Sequence, residues 1–133
     1  MERPFFALES PRSFANTCSA LERAVPAHGF GLLSTHDLGQ TLRSKGQAFS
    51  EECRVFELCQ PQQAARVLAA EMLLSTALPC RISVFTEGGR TTVAMVRPEG
   101  MLRALSSDPA LAEVAAEVEA ATMAIIREAV GQP

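Results

Sequence analysis

Val55-Phe56-Glu57-Leu58-Cys59-Gln60-Pro61 and, beyond an alanine-rich patch, Leu78-Pro79-Cys80-Arg81-Ile82 are the two ends of the stretch on which the chain turns. Val55, Phe56 and Leu58 crowd one end and Ile82, Val84 and Phe85 the other, so a strand is expected on either side. Between them Ala64, Ala65, Val67 and Leu68 predict a short helix. Pro61 suits its first position, because the N–H that proline lacks would be unpaired there in any case. Gln60 is then the cap. The Cys59 thiol falls beside the free N–H groups and positive end of the helix, a setting that stabilises a thiolate. Cys80 and Arg81 open the neighbouring strand.

Working outward, Pro4-Phe5-Phe6-Ala7-Leu8 reads as an edge strand with proline at its start. Ser10-Pro11 follows as an N-cap and first-turn proline, and Phe14, Cys18, Leu21 and Val25 form one stripe of an amphipathic helix that puts Cys18 in the core. Pro26 is expected to end or kink that helix. Phe30 to Thr35 reads as a strand leading into His36-Asp37. Leu38 to Phe49 has no firm periodicity and is expected as loop, with one helical turn around Gln40 to Ser44. Strands Arg81 to Thr86 and Thr91 to Val96 flank Glu87-Gly88-Gly89-Arg90, where paired glycines permit the positive φ of a tight hairpin turn. Pro98 opens a short helix to about Leu105. After Asp108-Pro109, the residues Leu111, Val114, Val118, Ala121, Ile125 and Ala129 mark one face of a long helix. Together these elements predict an α+β fold, an antiparallel sheet with helices packed on one face, in a single domain over residues 1–133.

Composition narrows the function classes. A chain of 133 residues removes roughly two-thirds of its unfolded surface from water. Its net charge of −3, with basic residues scattered singly and neither Trp nor Tyr, offers no footprint for nucleic acid. The longest apolar stretch, Met72 to Leu78, is interrupted by Ser75 and Thr76 and is too short to span a bilayer. Met1-Glu2-Arg3-Pro4 lacks the apolar core of a signal peptide, so the expected location is cytoplasmic, where the four cysteines are reduced thiols.

The linear order of several short signatures resembles the bacterial and archaeal family called domain of unknown function 302. The matching pieces are Gly29-Phe30-Gly31 with Asp37 shortly after, Lys45-Gly46, Cys59-Gln60-Pro61, and Leu78-Pro79-Cys80-Arg81 leading into the hairpin. The resemblance implies a β-α-β(4)-α arrangement of the TATA-binding-protein-like two-layer type, with the helix after Pro61 inserted between strands. It also implies a homodimer, and it assigns no activity and no cofactor. One position departs from the family pattern: Gln60 stands where Asn is usual. Gln caps helices less well than Asn, so either the cap is altered or the amide has lost any role it has in the family's site.

Two readings of the thiols stand side by side. Cys59 and Cys80 face each other at adjacent strand ends as a dithiol, soft-metal or persulfide site, or they are small hydrophobes filling tight turns. Arg81 either grips an anionic ligand with its planar fork or pairs with a carboxylate on an exposed strand face. Asp37 is a turn former or the partner of His36 in acid–base work, and Lys45 reaches the same pocket or stays solvated. A metal set of Cys59, Cys80, His28 and His36 matches no zinc spacing, and no metal is assigned. The expectation carried forward is a pocket lined by Cys59, Cys80 and Arg81, with Gln60, Asp37 and Lys45 as further candidates, that binds a small anionic or thiol-reactive molecule. The alternative is a homo-oligomeric interaction module with both cysteines structural. No general base can be placed, which leaves catalysis open.

Overall fold

Alternating apolar and polar residues in the strand segments are realised as one antiparallel sheet with a buried and an open face. In the computed structural model, which describes residues 3–132, the elements run β1 (Phe5–Ser10), α1 (Phe14–Ala27), β2 (Gly31–Asp37), α2 (Leu38–Ser44), β3 (Cys53–Cys59), α3 (Pro61–Ala70), β4 (Cys80–Glu87), β5 (Arg90–Val96), α4 (Pro98–Leu105) and α5 (Pro109–Ala129). A 3₁₀ turn over Met72–Ala77 joins α3 to β4. Met1 and Glu2, which open the segment expected to lack a leader, lie outside the described residues. The five strands lie in the order β1-β5-β4-β3-β2, each pair antiparallel. No helix among the described residues is long and apolar enough to cross a membrane.

Phe56 and Leu58 on β3, Ile82 and Val84 on β4, and Val93 on β5 are fully buried together with Leu21 and Val25 of α1 and Ile125 and Ile126 of α5. Each such side chain contributes about 1.5–3 kcal/mol through the water it no longer orders. Their strand neighbours Glu57, Arg81, Ser83, Phe85 and Ala94 alternate onto the opposite face and are half-buried or exposed. The hairpin between β4 and β5 closes as expected, Gly88 and Gly89 taking φ of 56° and 82°.

Two local expectations change. The cap of α1 is Ser13, whose side chain accepts from the Asn16 N–H, because β1 continues through Ser10 and uses that residue in the ladder. The segment after β2 is a real helix, α2. Asp37 caps it by accepting from the Gln40 N–H at 2.9 Å, and the Arg43 guanidinium ties it to the carbonyls of Phe49 and Glu51 and to the Glu52 carboxylate. Pro26 lies inside α1, and the helix ends one residue later.

The end of β5 is fixed to α5 by a largely buried ion pair. Arg97 donates to Glu119 Oε2 at 3.0 and 3.3 Å, while the Glu99 N–H donates to Oε1 at 3.1 Å and so holds the start of α4 in place. Removing Glu119 takes this carboxylate from Arg97 in a largely desolvated position and leaves the Glu99 N–H without its acceptor. Glu119→Leu is therefore expected to lower the urea midpoint at unchanged m, by about 3 kcal/mol of stability, with Glu119→Gln costing less because it still accepts from Glu99.

Candidate functional site

β3 stops at Cys59 because Gln60 turns the chain and Pro61 has no N–H to continue the ladder. Gln60 sits in extended backbone, and its Oε1 accepts the Gln63 N–H at 2.7 Å. Gln60 therefore caps α3 through its side chain, so of the two alternatives for this position the altered cap is not the one met. Cys80 opens β4 directly opposite Leu58, one residue from Cys59, after the cis-linked Leu78-Pro79. The two thiol-bearing residues thus stand at adjacent strand ends.

Both residues line a hollow of about 290 Å³ between those strand ends, α3 and α4. Its wall is hydrocarbon from Leu58, Val67, Leu78, Leu102 and Val118, with Met101 of α4 contributing a third sulfur-bearing side chain. Gln60 and Gln63 also line it, but their amides are engaged. Gln60 Nε2 donates to Gln62, and Gln63 Nε2 donates to Glu117 Oε2 at 3.0 Å, where Arg66 also donates at 2.7 Å. Hydrogen bonds from Gln63 and then Arg66 hold the Glu117 carboxyl below its ordinary range. That cluster straps α3 to α5. Burial in the hydrocarbon, reinforced by the nearby Cys59, pushes the Cys80 thiol up to about 11, so at neutral pH it keeps its proton.

Arg81 is not in this wall. Alternation along β4 puts it on the open face of the sheet, 55% exposed, with Nε 3.4 Å from Glu57 Oε2. Glu57 also meets His36 Nε2 at 3.0 Å, and that hydrogen bond is the main cause of its lowered pKa. His36, Glu57 and Arg81 therefore form a row across β2, β3 and β4: Arg81 meets a carboxylate on the exposed strand face, one of its two expected roles, while the part of His36 in the row was not foreseen. Cys80 and Arg81 share only a smaller hollow of about 100 Å³, lined also by Pro79, Met95 and Val96. Asp37 caps α2 and pairs with Arg54 at 3.4 Å, and Lys45 is the exposed C-cap of the same helix. Neither lines the hollow. His28 meets Glu128 at 3.3 Å, so the two histidines are engaged with carboxylates elsewhere, and among the described residues no group of three or more His, Cys, Asp or Glu is arranged to hold a metal. Met101 was also missed, since nothing in its spacing marks it and only the docking of α4 brings it there.

The fold and this wall define a two-layer α+β protein with a five-stranded antiparallel sheet and a thiol-bearing hollow at one end of its central strands. Residues 6–129 match the model of the family described as domain of unknown function DUF302, and the chain belongs to that family. The crystal structure of an uncharacterised conserved DUF302 protein from Bacillus stearothermophilus is similar, with 33% identity and a TM-score of 0.90 over 96% of this chain and 99% of that one. No curated protein matches.

Burial also pushes the thiol of Cys18, on the core-facing side of α1, up to about 11. For both thiols the folded value lies above the ordinary 9.0, so each stabilises the fold fully below pH 9.0 and loses that contribution as pH rises toward about 11. With no tyrosine and a single lysine in the chain, few other side chains titrate in that window. Urea melts are expected to show stability falling between pH 9.0 and about 11, with a shallower fall in Cys18→Ala/Cys80→Ala.

Proposed function

We propose that the protein binds a small thiol-reactive ligand in the hollow between the ends of β3 and β4, α3 and α4, with Cys59 and Cys80 as its contacts. The observation that carries this reading is that two cysteines from different strands line one apolar hollow whose amides are already engaged. Its volume, about 290 Å³, is at the lower edge of the roughly 300–1,000 Å³ that drug-sized ligands occupy, which favours a small molecule or ion over a dinucleotide. Anionic recognition has less support, because Arg81 is turned to the other face of the sheet.

Neutral and charged alkylating reagents of equal size test the reading. Relative to free cysteine, Cys59 and Cys80 together are expected to favour iodoacetamide over iodoacetate by at least about tenfold, since an apolar wall penalises the carboxylate. Leu68→Trp, which fills the hollow from α3, is expected to slow the neutral reagent by a similar factor. Equal preference for both reagents, with no effect of filling, rejects the hollow as a binding site.

A second reading rests on the open face of the sheet. Phe5 and Val96 lie opposite each other in register and are 54% and 46% exposed, with half-buried Ala94 two residues before Val96 on the same face and the Arg81–Glu57 pair on the strands beyond. A partly apolar face of this kind is suited to a second copy of the chain, and the protein is then a homodimer through its sheet. Light scattering is expected to give a dimer that Val96→Lys converts to a monomer; a wild-type monomer at every concentration removes this reading.

A further inference from the structure

We propose that Cys59, Cys80 and Met101 form a site for one soft, monovalent metal ion of the copper(I) class, an assignment that rests on the hollow reading above and names its ligand. Three sulfur-bearing residues come from three separate elements: the end of β3, the start of β4 and the first turns of α4. Thiolate and thioether donors together select copper(I)-like ions. Hard cations such as calcium and magnesium need several oxygen ligands, and no carboxylate is among the described residues lining the hollow. Structural zinc takes four nitrogen or sulfur donors from Cys and His, whereas here two cysteines are accompanied by a thioether.

Charge balance favours a monovalent ion. One thiolate neutralises it, while a divalent ion needs both thiolates inside a wall that is otherwise mostly hydrocarbon. Residual charge in hydrocarbon is costly, so the neutral complex is preferred. The metal–sulfur bond forms as a thiol proton leaves to solvent, and neither sulfur nor metal changes oxidation state. Met101 adds a neutral donor that completes the coordination without adding charge.

Anaerobic titration of the full chain with copper(I), in competition with a chromogenic chelator, tests the assignment. One ion per chain is expected, binding about tenfold tighter for each unit of pH between about pH 6 and pH 8, because one proton is displaced. Met101→Leu conserves volume and is expected to weaken binding at least about tenfold with its urea midpoint little changed. Cys59→Ser is expected to abolish it. Unchanged affinity in Met101→Leu, or an ion retained by Cys59→Ser/Cys80→Ser and hence carried by Cys18 or Cys53, overturns the site. If the alkylation selectivity holds but copper(I) does not bind, the metal assignment falls and the hollow reading stands. If the selectivity is lost as well, both fall.

Discussion

One face of a five-stranded sheet sealed beneath α1 and α5 is the constraint from which the rest follows. Because strand side chains alternate, a slip of one residue in β3 or β4 would bring Glu57 and Arg81 into the core and expel Phe56 and Ile82. Burying unpaired charge while exposing large apolar groups is prohibitive, so the register is held by both faces at once. That register sets Leu58 against Cys80 and Glu57 against Arg81. Cys80 therefore belongs to the helix-covered side and Arg81 to the open side, and their adjacency in the chain separates them in space.

This explains which parts of the molecule were legible in the sequence. The β4–β5 hairpin, the stripe on α5, the burial of Cys18 and the start of α3 at Pro61 each depend on a local signal, a glycine pair, a 3.6-residue period or a proline, and each is found where expected. Helix α2 has no such signal. Its seven residues are held by Asp37 at one end, by the reach of Arg43 to the segment before β3, and by Gly39, where a Cβ would come within 3.1 Å of the Glu51 carbonyl oxygen. A short helix is marginal without tertiary support, and that support comes from residues with no periodic mark. The pairing of Arg81 with a carboxylate on the exposed strand face was one of its two expected roles and is met by Glu57, whereas Met101 enters the hollow only through the docking of α4 on α5, which no local pattern encodes.

The hollow itself bears on stability. Sealed and empty, a void of about 290 Å³ would cost about 7 kcal/mol on the scale set by cavity-creating substitutions, which is comparable to the whole stability of a small domain. Such a loss is incompatible with a folded chain of this length. The space is instead kept accessible, at a point where α3 departs from β3 and the Gln63–Glu117–Arg66 cluster holds that helix against α5. Filling it with larger side chains would have been the simpler way to gain stability. The chain places sulfur there instead.

Cys18 and Cys80 show why a perturbed thiol is insufficient to mark a site. Burial raises both to about 11. Cys18 is sealed in the core beside Leu21 and Val25, where no ligand reaches it, so its neutrality serves packing alone. Cys80 is half-buried at the edge of open space and shares that edge with Cys59 and Met101. What separates a structural cysteine from a ligand-binding one in this fold is access together with company, and both are properties of where the strands end.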